Sequence, residues 1–239
     1  MPADERQPVA DTLSVLADGE VEILGRMPWS SNATFLVNVS LGSAELRAIY
    51  KPHRGERELW DFPDGLYRRE AAAYRLAEAL GWPPIPETIV RTEAPFGEGS
   101  LQRFIDADYD EHYFTLLEEP RHRPALQAMA AFDVVANNAD RKGGHCLLDH
   151  DDRIWGIDHG LCFNVAPKLR TVIWDFAGEE IPAALREDLR RLAVAPPATL
   201  AALLSPAERL AVQRRASRAA DRGVYPQPAG DRPYPWPLV

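Results

Sequence analysis

Two hydrophobic periods divide this chain. Up to about residue 105 the apolar positions come in short alternating runs, and beyond about residue 124 they recur at three- and four-residue spacing. The first period predicts strands at Ser14–Leu16 and, after an Ala-Asp-Gly turn, at Glu20–Leu24. Thr34–Val39 and Glu45–Tyr50 follow as a hairpin around Leu41-Gly42-Ser43. Pro52 stops that ladder because it has no amide hydrogen to donate. A helix from about Asp64 to Leu80, terminated by Gly81, is inserted among these strands. Pro83-Pro84-Ile85-Pro86 breaks the chain before a strand at Thr88–Val90, and Leu101–Ile105 reads as a further strand that joins two lobes as a hinge. From Pro124 the apolar stripe Leu126, Met129, Phe132, Val135 and Ala136 predicts a helix. Ser205-Pro206-Ala207-Glu208 is a capping box with proline at the first helical position, and its helix ends near Gly223.

Strands followed by helices imply an α+β chain. The expected organisation is a loose segment at 1–11, a β-rich N-lobe with one helix at 12–105, a mainly helical C-lobe at 106–223, and a proline-rich, extended tail at 224–239. With 239 residues, 46% hydrophobic and 26% charged, the chain can bury a sizeable core. Its formal charge of -9 argues against non-specific binding to nucleic acid or an anionic membrane. Arg121-His122-Arg123 and the arginines after Ser205 are the local basic exceptions, read as solvated helix faces. Cys146 and Cys162 lack the spacing and companions of a zinc site and are expected to be buried thiols. No run reaches the length of a membrane span and no signal peptide is apparent, so a cytoplasmic location is expected.

The candidate chemistry lies where the Pro124 helix ends. Asp133-Val-Val-Ala-Asn-Asn-Ala-Asp140-Arg-Lys-Gly-Gly-His145 leads into Cys146-Leu147-Leu148. The acidic turn Asp149–Asp152 follows, and Ile154–Ile157 then delivers Asp158 into an Asp-His-Gly turn. Phosphoryl transfer needs a group that aligns or deprotonates an attacking hydroxyl, and a carboxylate that holds a hard divalent cation. Asp140 suits the first role and Asp158 the second. Asn138 and Asp133 would brace the loop, with a helix-end hydrogen bond the simpler role for Asp133, and Arg141 is expected to pair with a loop carboxylate. His145 stands five residues after Asp140. Its imidazole either ligates a metal, which favours manganese, or marks a lost second metal position.

Upstream, Lys51 closes a strand and Glu70 falls on the apolar face of its helix, beside Leu66, Tyr67, Ala73, Tyr74 and Ala77. A buried carboxylate needs a partner, for which Lys51 is expected, with Arg68 or Arg69 the alternative. Ser30, Ser31 and Asn32, in a loop between strands, have hydroxyls and amides that can contact phosphate.

Five segments taken together resemble the phosphatidylinositol 3- and 4-kinase-like superfamily, most nearly its type II phosphatidylinositol 4-kinases and an actinobacterial kinase-like branch. They are Ser30–Phe35, Ala48–Pro52, Arg69–Tyr74 with Pro84–Pro86 behind it, Asp133–Arg141 and Gly156–Phe163. The resemblance implies a two-lobed protein-kinase-like fold with ATP at the hinge, Lys51 on phosphate, Asp140 as catalytic acid and Asp158 on magnesium or manganese. The expected reaction moves the γ-phosphate to a hydroxyl of a protein, a small molecule or an inositol lipid. A nucleotide-binding scaffold and an AMP transferase are the alternatives. The chain lacks a cysteine-rich insert and a basic membrane-facing loop, so stable membrane attachment is not expected.

Overall fold

The computed structural model describes residues 11–28 and 32–239. In chain order its first elements are α1 (Thr12–Asp18), β1 (Glu20–Arg26), β2 (Phe35–Leu41), β3 (Ala44–Pro52), α2 (Leu66–Leu80), β4 (Thr88–Arg91) and β5 (Gly99–Arg103). There follow β6 (Ala107–Asp108), α3 (Tyr113–Leu117), α4 (Arg123–Ala136), β7 (Cys146–Asp149), β8 (Ile154–Gly156), α5 (Ala183–Val194) and α6 (Pro206–Arg222).

The chain forms two compact units. One holds the described residues through Arg57 together with Glu87–Phe104, and the other holds Glu58–Pro86 and Ile105–Val239. In the first, an antiparallel sheet runs β1-β2-β3-β5-β4. Alternation works as a period of two predicts: Val37 and Val39 on β2, with Ala48 and Tyr50 on β3, turn inward against Val15, Leu16 and Leu101. Lys51 lies opposite Ser100 on the adjoining strand.

The segment Ser14–Leu16, expected as a strand, is part of helix α1. Leu13, Val15 and Leu16 satisfy both an alternating and an i, i+3 pattern. The decision falls to Asp11, whose carboxylate accepts the Ser14 amide at 2.8 Å and caps the helix. Gly19 ends it, where a Cβ would stand 2.6 Å from the Val15 carbonyl oxygen.

The second unit packs α2, α4, α5 and α6 with the small sheet β6-β7-β8. Helix α2, expected to count with the strand-rich lobe, groups here instead. Its residues explain this: Arg69 pairs with Glu208 at the start of α6 and donates to the Cys162 carbonyl at 3.1 Å. Helix α6 follows its capping signals closely: Ser205 and Glu208 exchange the reciprocal cap bonds, and Gly223 adopts φ 68°. No described helix is long and apolar enough to cross a membrane.

Candidate active site

The site grows from the end of α4. Asn137 takes a left-handed conformation (φ 54°) that turns the chain out of the helix. Its side chain is fully engaged: the amide donates to the carbonyls of Asn164 and Ala166, and the oxygen accepts the Lys168 N–H. Asn138 braces the loop in both directions. Its amide donates to Asp133 at 3.0 Å, and its oxygen accepts the Asp140 N–H at 3.0 Å.

Arg141 is the hub. Its side chain is wholly buried and pairs with the equally buried Asp133 at 2.9 Å. The expected loop carboxylate is therefore a helix residue, and Asp133 has more than a helix-end hydrogen bond: it is the counter-charge of the loop. Thr171 adds a hydroxyl to the same carboxylate at 3.2 Å. Nη1 donates to the carbonyls of His145 at 3.2 Å and Ile157 at 3.1 Å, and Nη2, which also meets Asp133, reaches the His159 ring nitrogen at 2.7 Å. One cation thus fixes the chain at His145 and at the residue immediately before Asp158. Because a guanidinium can only donate, the contacted His159 Nε2 accepts and the proton sits on Nδ1.

Glu70 completes the support from α2. One carboxylate oxygen accepts the His159 N–H at 2.9 Å, and a Cβ at position 160 would lie 3.4 Å from the other. Gly160 leaves room for the carboxylate beside the Asp158 turn. The alternative partner Arg69 is committed to Glu208 and Cys162.

Asp158 itself has φ 59°, an uncommon conformation for a residue with a side chain, and its carboxylate is exposed. The His145 Nε2 lies 3.4 Å from it. Asp140 lies close enough for the two acids to interact: burial pushes Asp140 up to about 6, with the Lys142 ammonium opposing and the Asp158 charge adding to the rise. Lys142 Nζ is 3.3 Å from the Asp140 carboxylate. The His145 imidazole and the Asp158 carboxylate thus stand side by side, two donors of the kinds that divalent cations take.

Sequence reasoning missed Lys142, although a lysine two residues after a loop acid was a readable sign. It also missed Thr171, for which no local pattern exists. The acidic turn is structural: Asp149 accepts from Trp155 Nε1 and from the amides of Asp151 and Arg153. Both thiols are buried, and burial raises Cys146 to about 12 and Cys162 well above its ordinary value. Asn32 accepts the Arg57 amide at 3.0 Å, while Ser30 and Ser31 lie outside the described residues.

This architecture is a two-lobed kinase-like fold. It matches a structure of hydra Fam20 with sugar over 87% of this chain and 86% of that one, at TM-score 0.56 and 15% identity. A crystal structure of the Golgi casein kinase with Mn/ADP bound matches over 87% and 74%, at TM-score 0.53 and 14% identity. In sequence, the chain is 42% identical to protein Rv2133c of Mycobacterium tuberculosis, covering 95% of each. It belongs to the family of that protein. No family model matches the chain.

Proposed function

We propose that the protein is an ATP-dependent phosphotransferase. Asp140 aligns and deprotonates the acceptor hydroxyl, Asp158 and His145 hold the divalent cation, and Lys51, Glu70, Ser30, Ser31 and Asn32 serve nucleotide binding. The observation that supports the reading is that the buried Arg141 ties down the chain at His145 and at Ile157, next to Asp158, while His145 Nε2 lies 3.4 Å from the Asp158 carboxylate and Asp140 sits at the residue before Arg141. A base with a pKa near the working pH is suited to receive a hydroxyl proton, and a cation would neutralise charge on transferred phosphate. The kinase-like neighbours support the same reading, and the one bound to Mn/ADP supports a divalent metal with nucleotide. The acceptor is a hydroxyl of a protein, a small molecule or an inositol lipid, the last in keeping with the phosphatidylinositol 3-/4-kinase-like motifs.

Incubation with γ-labelled and, separately, α-labelled ATP tests this, with magnesium and then manganese. Label transferred from the γ position only is the expected result, and it disappears in Asp158→Ala. Transfer of α label would replace the proposal by AMP transfer, and binding without either transfer by a nucleotide-binding scaffold. In the same assay His145→Asn shifts the preferred metal toward magnesium; an unchanged preference removes His145 from the metal site.

A further inference from the structure

The second unit contains a cavity of about 740 Å³ whose lining includes neither Asp140 nor Asp158. One wall is α6, which presents Ala207, Ala211, Arg214, Arg215, Arg218 and Arg222 at three- and four-residue steps along one face. The segment Val165–Arg170 gives a second wall, and residues 226–232 a third. That third wall is anchored at both ends. The Tyr225 hydroxyl donates to the Gln127 carbonyl at 2.8 Å, while Thr171 N and Trp174 Nε1 both donate to the Pro233 carbonyl at 3.1 Å. These bonds hold residues 226–232 along one side of a cavity that stays open to solvent.

The lining is strongly cationic. Seven lysines and arginines line it with a single acid, Asp231, in a chain whose net charge is -9, although one of them, Lys168, is held by Asp61 at 2.7 Å. Among the described residues Arg214, Arg218, Arg222 and Arg232 form no ion pair. Other surface arginines do otherwise: Arg190 and Arg191 pair with Glu187 and Asp188 one turn earlier, and Arg121 and Arg123 pair with Asp152 and Glu179. Arg215 gives two of its nitrogens to the carbonyls of Val135 and Asn164, which leaves Nη2 buried with no hydrogen-bond partner among the described residues. Burial also lowers its pKa to about 10, a cost that a neighbouring anion would relieve. Val134, Leu169 and Trp174 supply apolar surface for the body of a ligand.

We propose that this cavity binds a compact molecule carrying several phosphate groups, with the α6 arginines as its receptors. Guanidinium forks match phosphate oxygens in pairs, and the volume lies within the range of small-molecule sites. Arg214, Arg218 and Arg222 are exposed, as a solvated helix face requires, and they also line one concave surface. The cavity also borders the catalytic loop through one strand of chain, since Arg170 N donates to the Asn138 carbonyl at 2.9 Å and Arg141 N to that of Arg170 at 3.1 Å.

Calorimetric titration of the full chain with inositol hexakisphosphate and with tripolyphosphate, at an ionic strength of about 0.15 M to screen loose surface charge, tests the site. A parallel flotation assay uses vesicles containing a phosphatidylinositol bisphosphate. We expect saturable one-to-one binding that weakens by about tenfold or more in Arg218→Gln/Arg222→Gln and persists in Asp158→Ala. Both arginines are exposed, so the double variant should melt at the wild-type temperature without ligand. Binding of soluble probes identifies a free polyphosphate, and binding of vesicles alone identifies a lipid headgroup. Equal affinity in the double variant, loss of binding in Asp158→Ala, or no binding in either arm overturns the proposal. The proposed catalytic function would survive any of these results.

Discussion

Asp140 shows how one residue carries a measurable signature of its surroundings. Its pKa is raised to about 6 from 3.8, first by burial. Folding therefore disfavours its ionised form. The penalty is absent below about pH 4, grows as pH rises through about 6, and is complete above that. In metal-free buffer with chelator, Asp140→Asn should be more stable than wild type at pH 8, by about 1–2 kcal/mol after discounting for a partly exposed side chain, and no more stable at pH 3.5. Urea unfolding at the two pH values measures this, and equal stability at pH 8 would refute the raised pKa. The same variant should lose activity by about 10²–10⁴-fold. That this acid sits on a loop after an apolar helix was legible in the sequence. Its pKa was not, because burial comes from chain segments far from it in sequence.

Among elements, α6 was the most legible, since every signal that starts and stops it lies within the helix or one residue from it. Helix α1 was the least, because a short apolar run fits two periods and the Asp11 cap alone decides between them. Glu208 joins the local and distant levels. One oxygen accepts from Ser205 in the capping box, and the other pairs with the buried Arg69 of α2. Loss of the cap alone, in Ser205→Ala, should cost about 1 kcal/mol. Glu208→Ala also strands a buried guanidinium and should cost about 3–5 kcal/mol. Chemical denaturation of both variants checks the order, and equal losses would mean that the Arg69 pair contributes nothing.

For the whole molecule, a ligand that binds only the folded chain must raise its melting temperature. Manganese with ATP, at about a hundred times the dissociation constant, should stabilise the wild type by about 2.7 kcal/mol, roughly 5–10 °C for a chain of this size. Asp158→Ala should show little of that rise; an undiminished shift would separate Asp158 from the metal. Charge also has to be read at this scale. A net charge of -9 describes the chain, yet folding gathers six arginines and one acid around a single cavity. The sequence by itself determined most elements, the α+β order and the types of residue that carry the candidate chemistry, because periodicity, caps and turns act between near neighbours. Only the tertiary structure decided that Arg141 holds both loops from beneath, that Glu70 receives the His159 amide, and that the α6 arginines share a cavity. Burial and ion pairing join residues as far apart as Arg69 and Glu208, and nothing in the chain between them records that they meet.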